Sequence, residues 1–124
     1  MNSESEEPRQ VSLSSDALEA IKRLPKGSAL LVVHTGNPGA RFLLDVERVT
    51  VGRKPSSDIF FDDVTVSRKH AEFFRTDDGY GVRDSGSLNG TYVNRERVEK
   101  VELQSGDEVQ IGKYRMSYHA GSAN

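Results

Sequence analysis

The sequence predicts an all-β protein, a two-sheet antiparallel β-sandwich, and two observations carry that prediction. Short apolar runs rich in Val, Ile, Phe and Tyr recur along the chain, each too brief for a helix. Between them sit Gly, Asp, Asn and Pro clusters at close, even spacing, the pattern of strands joined by tight turns. A length of 124 residues suffices for one domain with one hydrophobic core and leaves some residues for tails. No internal repeat is visible.

The elements follow in order. Residues 1–14 are polar, with Glu4, Glu6 and Glu7 around Ser5 and then Pro8, a composition that buries too little surface to order itself. A flexible tail is expected there. From Asp16 the grammar is helical: Asp16 and Glu19 have capping-box spacing, Leu18, Ile21 and Leu24 recur at helical intervals, and Pro25 and Gly27 stop the run. The helix predicted over 16–24 is shorter than the roughly 12–15 residues an isolated helix needs in water. It must dock on the domain or on a partner. Residues 1–27 thus form an N-terminal extension.

After Gly27 the pattern is that of strands. They are predicted over Ala29–His34, Arg41–Leu44, Glu47–Val51, Asp58–Phe61, His70–Arg75, Tyr80–Arg83, Thr91–Val93, Val98–Leu103, Glu108–Ile111 and Tyr114–His119. Turns are marked by Gly36-Asn37-Pro38-Gly39, Asp77-Asp78-Gly79 and Gly106-Asp107. The domain therefore covers 28–119, and 120–124 read as a disordered C-terminal tail.

Composition excludes several functions. The net charge of −2 and the pI near 5.9 lack the basic excess of a general nucleic-acid binder, so any positive site must be local. The absence of cysteine rules out disulfides, thiol catalysis and Cys-based zinc sites. No apolar run approaches membrane-spanning length and the acidic N-terminus is unlike a signal peptide, so a soluble cytoplasmic monomer is expected, without cofactor or metal.

Three polar clusters lie between the predicted strands from Gly52 to Asn94. Arg53 follows Gly52 directly after a strand. It is either an ordinary surface arginine or a planar fork of donors matched to two phosphate oxygens, with Gly52 giving the backbone room to turn. Ser67 ends a loop and is followed by Arg68. Its hydroxyl either satisfies a turn or donates to a phosphate beside the Arg68 charge. His70 reads as a packed histidine that hydrogen-bonds neighbouring loops, because no second His or Cys lies at metal-ligand spacing. Asn89-Gly90 is a two-residue hairpin signal. The Asn89 amide also has the donors and acceptor needed to grip the main chain of an extended peptide, and Ser87 supplies another hydroxyl.

Gly-Arg, then Ser-x-x-His, then Asn-Gly-Thr, separated by short strands, resembles the forkhead-associated (FHA) domain family of phosphothreonine-binding β-sandwiches. Each motif is weak alone, whereas the ordered set is specific, and the resemblance covers residues 28–119. It implies an eleven-stranded sandwich with the binding loops at one end. It further implies that Arg53, Ser67 and Asn89 are the main phosphopeptide contacts, that Arg68 and Ser87 assist, and that Gly52, His70, Gly90 and Thr91 support the site. Many members carry Thr or Ser before the Asn, where this chain has Leu88, so a hydroxyl from that loop must come from Ser87.

The stretches DIFFDDVTVSRKHAEF, GSLNGTYVNRE and GDEVQIGKYR resemble, more narrowly, the small actinobacterial FHA regulators of 2-oxoglutarate metabolism. That resemblance implies metabolic enzymes or a Ser/Thr protein kinase as partners, and a switch in which a phosphorylated N-terminal threonine folds back onto the site. The first threonine here is Thr35, inside the first predicted strand; the extension offers Ser3, Ser5, Ser12, Ser14 and Ser15. The expected function is a non-catalytic phosphothreonine reader, with phospho-independent regulation of metabolic enzymes through the same loop face as the alternative. An enzyme is not expected, since the chain has no nucleophile elbow, P-loop or His-Glu-x-x-His spacing.

Overall fold

The computed structural model describes residues 13–124. Most of the tail predicted over 1–14, with Ser3, Ser5 and Ser12, lies outside the described residues. Helix α1 spans Ser15–Arg23, and eleven strands follow: β1 Ala29–Thr35, β2 Arg41–Leu44, β3 Arg48–Gly52, β4 Ile59–Phe60, β5 Ala71–Arg75, β6 Tyr80–Asp84, β7 Thr91–Val93, β8 Glu96–Val98, β9 Lys100–Glu102, β10 Glu108–Ile111 and β11 Tyr114–Ala120. One sheet has the order β2-β1-β11-β10-β7-β8 and the other β4-β3-β5-β6-β9. All pairings are antiparallel except β3 with β4, which run parallel because the loop between them doubles back along the sheet edge.

The two sheets are held face to face by the alternation visible in the sequence. Tyr114, Met116 and Tyr118 of β11, Val109 and Ile111 of β10, Val49 and Val51 of β3 and Phe73 of β5 all point into one core. Burial of this kind contributes roughly 25 cal/mol per Å² of apolar surface. The two large tyrosines are buried with their hydroxyls satisfied. Tyr118 Oη accepts the Tyr80 amide at 2.9 Å, and Tyr80 Oη donates to the Val46 carbonyl at 2.6 Å.

Helix α1 packs Ala20 and Ile21, with Leu24 behind them, on Leu30 and Val32 of the outer face of β1. It begins one residue before the predicted start. The cap is Ser14, whose Oγ accepts the Ala17 amide at 3.1 Å, and Asp16 lies in the first turn rather than capping. Two further expectations are corrected. The run Val98–Leu103 is not one strand: β8 pairs with β7 in the larger sheet, β9 pairs with β6 in the other, and the chain changes sheets at Glu99. Residues 120–124 are not loose, since Ala120 closes β11, the Gly121 amide donates to Ser28 and Ala123 exchanges backbone hydrogen bonds with Leu24 and Lys26.

The arrangement of strand ends positions the site. Val51 faces Ala71, Ala71 faces Asp84, and Ile111 faces both Thr91 and Tyr114. The end of β3, the loop 61–70, the loop 85–90 and the β10–β11 turn at Gly112-Lys113 therefore meet at one end of the sandwich.

Candidate functional site

The loop 61–70 is fixed from beneath by apolar anchors. Phe61 stacks on Tyr114 with ring centroids 3.8 Å apart, and Val66 is buried. Asp63 Oδ2 accepts both the amide and, at 2.5 Å, the hydroxyl of Thr65, and Asp63 Oδ1 pairs with Lys113 Nζ at 3.1 Å. The Thr65 hydroxyl and amide, helped by Lys113, hold the Asp63 carboxyl down at about 2. Thr65 Oγ1 also accepts the Lys113 amide, which ties this loop to the β10–β11 turn.

Gly52 lies where β3 passes under that loop, and a Cβ there would overlap the Arg68 carbonyl oxygen. Close backbone approach, not a left-handed conformation, is what requires glycine. The next residue, Arg53, donates its amide to the Ser67 carbonyl and its Nε to the Val66 carbonyl, both at 2.9 Å. The stem of the guanidinium is thereby oriented, and its terminal amino groups remain exposed at the loop surface. Arg68 is also exposed, and among the described residues neither arginine forms an ion pair.

His70 is fully buried and couples the two long loops. Its Nδ1 accepts the Ser67 amide at 3.0 Å, so Nε2 carries the proton and donates to the Gly90 carbonyl at 2.9 Å. Burial lowers the imidazole pKa, against the opposing pull of the Gly90 carbonyl and the Asp84 charge. The ring is a buried strut between the two loops.

Ser67, expected as a main contact, and Ser87, expected to assist, commit their hydroxyls differently. Ser67 Oγ accepts the Leu88 amide at 3.0 Å, which leaves its proton free to donate outward. Ser87 is buried; its hydroxyl donates to Asp84 Oδ1 at 2.5 Å and accepts the Gly90 amide at 2.9 Å. The one proton of Ser87 is directed inward to Asp84, whereas that of Ser67 is directed outward. Thr91 is likewise buried and donates to Asp84 at 2.7 Å.

Asp84 organises loop 85–90 and was not singled out from sequence. Its two oxygens accept the amides of Gly86 and Ser87 and the hydroxyls of Ser87 and Thr91. Desolvation pushes this carboxyl up, but the hydrogen bonds from Ser87, Thr91 and Gly86 together outweigh it and keep the pKa below the ordinary carboxylate value. An Asp followed by Ser-Gly-Ser is the signature of a side chain that caps its own turn, and that signal was available in the sequence.

Asn89 is exposed, and its Nδ2 donates to the Thr65 carbonyl at 3.0 Å. One amide proton and Oδ1 stay available to a main chain lying across the loops. Asn89-Gly90 is not a hairpin turn, because β6 and β7 belong to different sheets. Gly90 is required by its φ of +92° and by Arg97 Nε, which would lie 2.7 Å from a Cβ. Among the described residues no group of three His, Asp or Glu side chains is placed to hold a metal, and no helix is long and apolar enough to cross a membrane.

The assembled site is a rigid ledge with a guanidinium fork, a hydroxyl proton and a carboxamide facing outward from three adjacent loops. Comparison with known proteins agrees with this geometry. The FHA domain family model matches residues 49–112, which include all three motifs. An oxoglutarate dehydrogenase inhibitor of Corynebacterium jeikeium is 61% identical over 103 residues, 82% of this chain and 72% of that one. A glycogen accumulation regulator of Mycobacterium tuberculosis is 55% identical over 120 residues, 96% of this chain and 74% of that one. Among solved structures, an FHA domain studied for phosphothreonine-dependent interactions superimposes with a TM-score of 0.71 at 26% identity, covering 77% of this chain and 99% of that one. Mycobacterium tuberculosis EmbR in complex with a low-affinity phosphopeptide gives a TM-score of 0.68 at 28% identity, covering 77% of this chain and 25% of that one. The ordered motifs, the eleven-stranded sandwich and these similarities together establish that the chain belongs to the FHA domain family.

Proposed function

We propose that this protein is a non-catalytic reader of phosphothreonine in proteins modified by Ser/Thr kinases, acting in the cytoplasm. One observation carries the reading: Arg53 and Ser67 are immobilised through their inner atoms while the guanidinium fork and the hydroxyl proton remain free at the same ledge. A phosphate carries about −1.5 to −2 charges near neutral pH, with a second pKa near 6, and suits this donor set. Arg68 adds charge, and Asn89 holds the peptide main chain beside the phosphate. Preference for threonine over serine rests on the family, since burying one methyl contributes only about 0.8 kcal/mol.

Titration calorimetry of a phosphothreonine peptide tests this reading. Arg53→Ala should weaken binding at least about tenfold, because charge-assisted hydrogen bonds contribute roughly 1.5–3 kcal/mol each. Unchanged affinity in that variant would overturn the assignment.

A second reading is favoured by a separate observation. Val64 and Leu88, on the same loop face, are 90% and 84% exposed, and relatives bear the name oxoglutarate dehydrogenase inhibitor. Two apolar tips beside the phosphate ledge suit docking on a folded metabolic enzyme without any phosphate. That mode predicts capture of oxoglutarate dehydrogenase that survives phosphatase treatment and is lost on Val64→Asp.

A further inference from the structure

We infer that the phosphopeptide site extends into a second anion subsite, a basic groove on the outer face of the smaller sheet. It receives a carboxylate or a second phosphate carried by the same peptide. The inference rests on the phosphothreonine reading above and assigns it a specificity.

The chain is acidic overall, yet its two phosphate-facing loops each carry an Arg-Lys pair, Arg53-Lys54 and Arg68-Lys69. The lysines are not redundant copies of the arginines. Lys54 and Lys69 line one groove of about 380 Å³, with the hydroxyl-bearing Ser56, Ser57 and Ser85 along its rim. A cavity of this size has room for one or two side chains. Among the described residues neither ammonium has a carboxylate partner, and none of these three hydroxyls has a hydrogen-bond partner. The acid in the groove, Glu72, is bonded to Arg83, so the net charge presented to a ligand is that of the two lysines.

Position fixes what the groove reads. Lys54 and Lys69 directly follow Arg53 and Arg68 in the chain, so the groove they line adjoins the two loops that carry the arginines. Asn89 borders a different depression, shared with Thr65, Tyr92 and Gln110. A peptide that crosses the ledge with its main chain on Asn89 therefore has one flank over that depression and the other over the lysines. Acidic groups are read on the flank away from Asn89.

Affinity measurements at about 150 mM salt test this with the intact chain. The probes are a phosphothreonine peptide with neutral flanks, versions with two carboxylates placed before or after the phosphothreonine, and versions with a second phosphothreonine in either place. Carboxylates on one flank should tighten binding about three- to fivefold, the scale of two partly exposed ion pairs, and a second phosphate there about tenfold. The same groups on the other flank should add nothing. Lys54→Gln with Lys69→Gln should abolish the increment and leave the neutral-flank peptide bound within about twofold. An increment equal on both flanks reports a general field and overturns the subsite, as does one that survives the double substitution. If the wild-type protein does not bind the neutral-flank phosphopeptide, or Arg53→Ala binds it equally well, the phosphothreonine reading itself fails and the subsite fails with it.

Discussion

The imidazole of His70 and the carbonyl of Gly90 share a buried hydrogen bond of 2.9 Å that joins loop 61–70 to loop 85–90. The same ring accepts the Ser67 amide, so one side chain sets the spacing between the loop of Ser67 and the loop of Asn89. Removing it leaves the partly buried Ser67 amide and the buried Gly90 carbonyl without partners, together with a cavity. His70→Ala should cost about 2–4 kcal/mol in urea unfolding, and phosphopeptide affinity should fall although His70 touches no ligand.

Neutrality of His70 also gives a pH dependence. Its folded pKa is lowered, chiefly by burial, and those of His34 and His119 are lowered in the same sense. The unfolded chain therefore takes up protons first, near the ordinary histidine value of about 6.5. Stability is full above that pH and declines as pH falls toward the folded pKa values. Urea unfolding without ligand should show lower stability at pH 5.5 than at pH 7, and the slope should flatten in His70→Gln. An unchanged slope in that variant would remove His70 from the account.

Asp84 is the opposite case. Its folded pKa is depressed because the bonds from Ser87, Thr91 and Gly86 outweigh desolvation, so its contribution is present above the unfolded carboxylate value of about 3.9 and is lost as pH falls below it. Asp84→Asn keeps the shape but turns one acceptor into a donor facing amides or hydroxyls. It should destabilise the protein by about 2 kcal/mol at pH 7. The gap to wild type should narrow at pH 3, measured by denaturant midpoints at both pH values.

These residues show what was legible in the sequence. The sandwich was, because a period-two pattern such as Tyr114-x-Met116-x-Tyr118 has one burial solution. The run Val98–Leu103 misled because apolar content does not report which sheet a residue joins. The hairpin before it turns through Asn94 and Arg95, both with positive φ, and has no glycine to mark it. At the site, motif order located Arg53, Ser67, His70 and Asn89 correctly in one cluster. The direction of the Ser87 hydroxyl was not legible, because it depends on Asp84, three residues away. Lys113 lies 50 residues beyond Asp63, and only the fold brings them together.

Gly52 tests whether close backbone approach, rather than flexibility, is what the first motif encodes. A Cβ in Gly52→Ala would overlap the Arg68 carbonyl oxygen, which is main chain and cannot rotate away. Loop 61–70 must lift from β3, carrying Ser67 with it. Destabilisation of about 2–3 kcal/mol is expected, as for overpacking a tight site, with weakened phosphopeptide binding in the fraction that remains folded. Full stability and affinity in the alanine variant would show that the loop can sit elsewhere without loss.

Ser67 and Ser87 separate contact from support most cleanly, because the substitution is the same and the outcomes diverge. Ser67 uses its hydroxyl as an acceptor for Leu88 and keeps the proton for a ligand. Ser67→Ala should therefore weaken phosphopeptide binding about tenfold or more, while losing about 1 kcal/mol of stability from the released Leu88 amide. Ser87 has given its proton to Asp84 and its lone pair to Gly90. Ser87→Ala should lower stability by about 1–3 kcal/mol, since it strips partners from a carboxylate and from a buried amide, and should weaken binding less than Ser67→Ala does. Calorimetric titration and urea unfolding of both variants form the comparison. The reverse ranking, with Ser87→Ala the greater loss in binding at unchanged stability, would mean that the Ser87 proton turns from Asp84 to the phosphate when peptide binds, and would return Ser87 to the contact set.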